Sequence, residues 1–375
     1  MKRGTKLLYK KIFAGLLGGG MLFMPNWSYA LPSGGQVVTN NGTITAGGKV
    51  MDITGSGNVA IDWNSFNIAA DEIVNFKNMQ AVLNYVSGGR KSEIFGKLNG
   101  AGVNVFLVNP NGILFGKTAQ VNVGQLTAST RSLEKAALNS FNGSLSPLDA
   151  GGAANVKADI INLGKLKAGK LVLEGNNLSI IGADSLEVAD KSKITLRAGE
   201  NINIGYEVTD KTTIDVGDGK GNTHQVSDYG KGGGDKASDV LSAASVTDLK
   251  GSAKSINDAM LVHDVYELQA IDRNTGTING SSYVVGNYML AGDIDAGDTK
   301  NWNSGRGFDP IGRLNRTGNG VTGSFSGAFD GICHSIQNLY IRQIGNQYDG
   351  YIGLFEGIGK GGSVGNVNMA GGHIE

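Results

Sequence analysis

Lys170-Leu-Val-Leu-Glu-Gly-Asn-Asn-Leu-Ser-Ile-Ile-Gly182 is followed, 23 residues on and without a gap, by Lys193-Ile-Thr-Leu-Arg-Ala-Gly-Glu-Asn-Ile-Asn-Ile-Gly205. Lys170 lies over Lys193, Leu171 over Ile194, Leu173 over Leu196, Ile181 over Ile204 and Gly182 over Gly205. A period of about 20 to 25 residues built of strands and turns is what one coil of a parallel β-helix consumes. Successive coils stack ~4.8 Å apart, which places like residues in ladders. One pair of copies is also compatible with chance similarity between Gly- and Asn-rich β segments, because a stable stack takes at least about three repeats.

Outside this pair the chain keeps the same character. Helical periodicity is scarce and two-residue alternation is common: Val59, Ile61 and Trp63; Val103, Val105 and Leu107; Val121 and Val123. Gly or Asn bounds each run, the residues that tolerate left-handed turn conformations. Such spacing suits a sandwich, a barrel or a β-solenoid. Glycine fills 60 of 375 positions and proline 5. Collagen is excluded, since no Gly-X-Y period runs through them. With 40% of the chain hydrophobic there is enough to fill a core, which argues against wholesale disorder. Lys and Arg balance Asp and Glu at 33 each, so nothing suggests a nucleic-acid partner.

The first thirty residues read as an address. Lys2, Arg3, Lys6, Lys10 and Lys11 precede an apolar stretch, Ile12 to Met24, and Ser28-Tyr29-Ala30 is a small-x-small cleavage site. Cleavage between Ala30 and Leu31 is expected, because the stretch falls short of the ~20 residues that span a bilayer. Five basic residues leave with the leader, so the remaining chain carries 28 basic against 33 acidic residues, net −5. Residues 209–257 read as a polar, low-complexity linker around Tyr229-Gly-Lys-Gly-Gly-Gly-Asp-Lys-Ala-Ser238. A short helix within 258–271 would place Leu261, Val265 and Leu268 on one face. A second β region follows, with Trp302, Phe308, Phe325, Phe329, Tyr351 and Phe355.

Motifs for catalysis fail one by one. Gly318-Asn-Gly320-Val-Thr-Gly323 and Gly357-Ile-Gly359-Lys-Gly-Gly362 fit GxGxxG but open no helix. Asn111-Gly-Ile-Leu-Phe-Gly116-Lys117-Thr118 has Asn where a phosphate loop begins with Gly. His224, His263, His334 and His373 are scattered, and Asp293, Asp295 and Asp298 lack the Gly and Glu of a calcium loop. No catalytic residue, metal site or cofactor is expected. Cys333 stands alone and reads as a half-buried thiol.

Four motifs in order carry a resemblance. They are Leu31-Pro-Ser-Gly-Gly-Gln-Val-Val38, Ala81-Val-Leu-Asn84-Tyr-Val-Ser-Gly-Gly89, Ser92-Glu-Ile-Phe-Gly96-Lys-Leu98, and Val105-Phe-Leu-Val-Asn109-Pro110-Asn111-Gly112-Ile113-Leu-Phe-Gly116. Together they resemble the secretion domain of two-partner-secretion exoproteins of the filamentous haemagglutinin type. The resemblance implies an all-β, right-handed parallel β-helix with an N-terminal cap over 31–145, followed by β-helix coils over 146–208. It also implies a partner, a dedicated outer-membrane β-barrel transporter, and a secreted or cell-surface destination reached through the periplasm of a Gram-negative-type envelope. Residues 258–375 resemble GLUG-type repeats, on Gly307-Phe308-Asp-Pro310-Ile-Gly312, Phe325-Ser-Gly-Ala-Phe329-Asp330-Gly331 and Gly353-Leu354-Phe355. Cys333 and Glu356 depart from that pattern.

Elementary turn chemistry supports part of this. Asn109-Pro110-Asn111-Gly112 has Asn first, Pro setting φ at the second position and Gly fourth, which makes a tight corner before Ile113. It either only turns the chain or forms an element the transporter recognises. Asn84 carries the same alternatives, with laddering or capping in a turn as its structural role. A lone cysteine fits export through a pore, because a periplasmic disulfide would close a loop in a chain that must cross unfolded.

The expected function is an adhesin-like exoprotein with no enzymatic activity, its further partners being host-cell or bacterial surface receptors or glycans. Two other classes stay open: a cytolysin or contact-dependent toxin whose effector lies elsewhere, and a secreted β-helical polysaccharide-active enzyme. Ending at Gly371-Gly-His-Ile-Glu375 without a polar cap, the sequence reads as a piece of a longer rod.

Overall fold

The computed structural model describes residues 31–146, 153–279, 281–312, 315–317, 320–342 and 352–375. The expected leader, with Ala30, lies outside the described residues, and Leu31 is the first of them.

The alternating segments form strands that the chain visits in turn on two sheets. The first sheet runs Gln36–Val37, Asn58–Trp63, Ala81–Val86, Lys97–Val108, Gln120–Ser129, Lys165–Gly175, Ile194–Ala198, Ser245–Thr247. The second runs Ser92–Ile94, Ile113–Phe115, Ile160–Asn162, Leu178–Ile180, Ile202–Tyr206, Asn257–Val262, Asn287–Leu290, Ala328–Asp330, Ser363–Gly365. Apart from Gln36–Val37 every neighbour in these two paths is parallel, so the fold is an all-β parallel solenoid.

Period-two alternation turns one side of each strand inward. Val59, Val82, Val105, Leu126, Leu171 and Ile194 face each other in successive rungs, and all are buried. Each such side chain taken from water is worth about 1.5–3 kcal/mol. The ladder is therefore both the register device and the main source of stability.

The duplicated stretch pairs at 23 residues only in its first half, where Leu171 meets Ile194 and Leu173 meets Leu196. In the second half the offset is 24, and Ile204 pairs with Ile180, not Ile181. Asn176 and Asn177 turn the first coil, whereas Gly199, Glu200 and Asn201 turn the next. The extra residue restores the inward phase of Ile202 and Ile204, and Ile181 instead packs outside with Ile161 and Leu163. A one-residue slip would have sent the whole apolar set to the other face.

Two insertions interrupt the coils. Residues between Ser129 and Ile160 include a short helix, Lys135–Asn139, whose Leu138 packs with Phe141, Leu83 and Phe106 over the outer face of the first sheet. The stretch 209–257, expected as linker, instead holds an antiparallel hairpin, Lys211–Asp215 with Thr223–Ser227, and the strand Ser245–Thr247 that joins the first sheet. The helix expected within 258–271 is confined to Val265–Ala270, because Asn257–Val262 is a strand.

The N-terminal end is covered by antiparallel structure. Gln36–Val37 pairs against Asn58–Trp63, and the hairpin Gly42–Gly47/Val50–Gly55 sits beside it. Leu31, Val37 and Ile44 pack onto the end of the core. At the other end the turn after Ala328–Asp330 lies back over the second sheet: Ile332 packs with Leu261 and Met289, and Asp330 accepts a 2.7 Å hydrogen bond from the Ser179 hydroxyl. Cys333 in that turn is exposed rather than half-buried.

Candidate functional site

Val105–Val108 runs straight into Asn109-Pro110-Asn111-Gly112, and the chain leaves as Ile113–Phe115 in the second sheet. The corner is a hydrogen-bonded turn, with the Gly112 N–H donating to the Asn109 carbonyl at 3.1 Å. Gly112 has φ of +110°, and a side chain there would also press on the Asp159 carbonyl at 3.2 Å. The positive φ is what calls for glycine here, and the close carbonyl adds to it.

Asn109 is fully buried and works in three directions. Its Nδ2 donates to the Arg90 carbonyl at 2.9 Å and to Ser92 Oγ at 3.0 Å, both in the previous coil. Its Oδ1 accepts the Asn111 N–H at 2.9 Å, tightening its own turn, and its backbone N–H donates to Ser129 of the next coil. The Asn111 amide reaches the Gly88 carbonyl at 2.7 Å. One residue, by side chain and backbone together, thus joins three corners along the stack. Pro110 is half-buried, Asn111 exposed, and Gly112 and Ile113 buried.

Asn84 is not in a turn. It lies mid-strand in the inward ladder between Ile61 and Leu107, with no exposed surface. Its Oδ1 accepts from Trp63 Nε1 at 3.1 Å and its Nδ2 donates to the Phe106 carbonyl at 3.2 Å. The laddering expected of asparagine occurs elsewhere, as Asn99 to Asn75 to Asp52 and as Asn201 to Asn177 to Asp159. Leu31 stands at the capped end, away from the corner in sequence, with its N–H on Glu72.

Other polar groups gave no signal in sequence. Glu174 is buried and held by Arg131 from Nε and Nη2, each at 2.7 Å, by Ser129 Oγ at 2.6 Å, and by Arg197 at 3.5 Å. Arg131 also donates to the Ser146 carbonyl, which ties the first insertion to the coil. Glu267 accepts from Ser227 Oγ at 2.7 Å and meets His263 Nδ1 at 2.8 Å, while His263 Nε2 faces Glu207 at 3.1 Å. The Ser227 hydroxyl addresses Glu267 and not the imidazole, so the trio does not form the serine–histidine contact of a Ser–His–acid triad.

An open groove of about 510 Å³ is lined by Asp295, Asp298, Lys300, Asn338, Tyr340 and His373, with Gly297 and Gly372 between them. The Tyr340 and His373 rings stack with centroids 5.5 Å apart. Asp295 accepts from Asn338 and from the Gly297 N–H, which hold its carboxyl below the usual range. Asp293 accepts from Ser335, so these aspartates serve turns and neighbouring coils. Among the described residues no group of three His, Cys, Asp or Glu could hold a metal ion, and no helix is long and apolar enough to cross a membrane.

The family model described as TPS secretion domain, for two-partner secretion, matches residues 28–294. A heme/hemopexin-binding protein of Haemophilus influenzae is 33% identical over 177 residues, 46% of this chain and 19% of that protein. A second protein of that description from the same species is 41% identical over 99 residues, 26% of this chain and 11% of that protein. Halomucin of Haloquadratum walsbyi is 28% identical over 255 residues, 68% of this chain and 2% of that protein. The chain spans less than a fifth of the length of each of these relatives. The solved HMW1 secretion domain from Haemophilus influenzae is 16% identical, with a TM-score of 0.32 over 89% of this chain and 84% of that one.

Proposed function

The chain belongs to the TPS secretion domain family, and on that premise we propose that its first coils address an adhesin-like exoprotein to one dedicated outer-membrane β-barrel transporter, through the corner at Asn109 to Ile113. Export is by two-partner secretion, across a Gram-negative envelope to the outside.

The observation that carries the reading is how the corner is divided. Asn109, Gly112 and Ile113 are buried within the stack, whereas Asn111 is exposed and Pro110 half so. In the folded coil only Pro110 and Asn111 are available to a partner; Asn109 and Asn84 set the shape they are presented on. In the extended chain all are available. The reading places recognition on Pro110 and Asn111 as this corner closes. Coil-by-coil stacking outside the cell then follows, since each coil needs only its neighbour to fold upon.

The adhesin reading is supported by the groove at Tyr340 and His373. Carboxylates, an amide, a lysine and a ring stack in one open site suit a hydroxyl-rich surface glycan. The surrounding 258–375 is read as GLUG-type repeats, in which Phe325, Phe329 and Phe355 meet at 4.9 and 5.5 Å between centroids. Heme and hemopexin belong to the relatives' names. The chain is read as non-catalytic.

The test is secretion with and without the cognate transporter, for wild type and for Asn109→Ala, Asn111→Ala and Gly112→Ala. Export should require the transporter, and Asn111→Ala should lower it while leaving the folded protein's stability unchanged. Transporter-independent export would end the reading.

A further inference from the structure

Leu31 brings its backbone nitrogen to a carboxylate: the N–H points at Glu72 Oε1 at 3.2 Å. We propose that a leader peptidase cuts between Ala30 and Leu31 and that the α-ammonium so freed seats on Glu72, closing the N-terminal cap over the first coil. The proposal rests on the two-partner-secretion reading, with residues 1–30 as its leader.

Three observations make Glu72 a prepared seat. Its second oxygen is already fixed, because Oε2 accepts the Ala69 N–H at 2.7 Å and the Glu72 N–H returns to the Ala69 carbonyl at 2.9 Å. The residues that deliver the nitrogen are anchored, Leu31 against the main core and Pro32 buried beside it. The neighbouring cation is already engaged: Lys49 pairs with Asp71, whose hydrogen bond and charge, with a smaller contribution from Glu72, hold the ammonium above its usual range. Glu72 is the charged group that this nitrogen touches, and beside it in sequence Asp71 pairs with Lys49.

The chemistry balances with water as co-reactant. Hydrolysis breaks the Ala30 carbonyl–Leu31 nitrogen bond, water supplies the hydroxyl to Ala30 and a hydrogen to Leu31, and the amine takes one further proton. A neutral amide N–H with one hydrogen becomes a cation with three. A charge-assisted hydrogen bond to a carboxylate is roughly twice as strong as its neutral counterpart. The cap is therefore tightest once the leader is gone. Removal of the leader is thus the precondition for the tightest cap, which forms when the first coils fold.

The sign of the pH effect follows. A paired α-ammonium has its pKa raised above the ordinary ~7.7–8.0. With Glu72 ionised, the added stability is complete below about pH 7.7 and is lost as pH rises through the raised value. A shift of one unit corresponds to about tenfold in the folding constant.

The experiment has two arms. N-terminal sequencing of the exported protein should begin Leu31-Pro32-Ser33; another start overturns the processing half and leaves the pairing measurable. The chain from Leu31 is then compared with its Nα-acetylated form, with Glu72→Gln as control, by urea unfolding at pH 6 and pH 10 and by NMR titration of the α-amine. The free amine should fold about tenfold more favourably than the acetylated one at pH 6, equally at pH 10, and equally at both in Glu72→Gln. An α-amine titrating at its ordinary value, or equal stability at pH 6, overturns the pairing.

Discussion

Trp63 donates its indole hydrogen to Asn84 Oδ1 at 3.1 Å inside a ladder whose neighbouring rungs are isoleucine and leucine. A buried amide in an aliphatic stack is tolerated only because both of its ends are used, the other on the Phe106 carbonyl. The pair fixes which coil Trp63 faces, and Trp63 in turn closes on Phe66 at 5.5 Å between centroids and on Gly35 of the cap.

Asn84→Ala should therefore destabilise by about 2–4 kcal/mol, from the orphaned indole and the small cavity together. Asn84→Leu combined with Trp63→Phe should recover most of that, since removing both polar partners costs less than stranding one. Urea unfolding of the two single variants and the double variant gives the coupling directly.

Asn109→Ala removes the bonds to Arg90 and Ser92 and the cap on Asn111, and a loss of about 2–3 kcal/mol is expected. Asn109→Asp keeps the acceptor but turns a second oxygen toward the Arg90 carbonyl, and should be no better. Asn111→Ala should change stability by under about 1 kcal/mol, because its side chain is exposed. Thermal melts of the three variants, set against their export yields, separate building the corner from presenting it.

Arg131→Met leaves Glu174 buried with Arg197 at 3.5 Å as its remaining cation. A destabilisation of about 3–5 kcal/mol is expected. Hydrogen exchange should show the loss first in the segment that follows Arg131, since the bond from Arg131 to the Ser146 carbonyl disappears with it.

The hydrogen bond to Glu267 pushes the His263 imidazole up to about 9, against the effect of burial. Burial alone would raise Glu267, but the hydrogen bonds from His263 and Ser227 outweigh it and bring the carboxyl to about 2. The His263–Glu267 pair, at the start of the helix Val265–Ala270, is thus complete from about pH 4.5 to 6.5, weakens as pH rises through 9, and weakens again as pH falls through 2. NMR titration of the imidazole should give the high value in wild type and a fall toward ~6.5 in Glu267→Gln.

Gly88 lies where an added Cβ would stand 1.8 Å from the Asn64 carbonyl oxygen. Gly88→Ala must displace backbone, and its expression should yield little folded chain. The exposed Gly89, where an added Cβ meets nothing, is the matched control: Gly89→Ala should fold normally by circular dichroism.

Local signals determined most of the architecture. Alternation at Val59, Ile61 and Trp63, and the Asn-Pro-Asn-Gly corner, are set by a two-residue side-chain period and by turn chemistry, both properties of a few neighbouring residues. The repeat at 23 residues declared the stacking direction for the same reason, since like residues fall in one ladder when each coil uses the same number of residues. What failed was counting across turns. The extra residue among Gly199, Glu200 and Asn201 shifted the second-sheet register to 24, because burial of Ile202 and Ile204 outweighs gapless alignment.

Only the tertiary structure decided which distant groups meet. Nothing near Asn84 in sequence marks Trp63 as its donor 21 residues away, and nothing near Glu174 marks Arg131, 43 residues away. The polar stretch 209–257 looked unstructured because its hairpin buries few residues of its own; it is ordered by Glu267 and the coil behind it. Strand period and turn type are short-range and can be read one residue at a time. The partner of a buried polar group is chosen by how many residues each coil and insertion consumes, and that sum is taken over the whole stack.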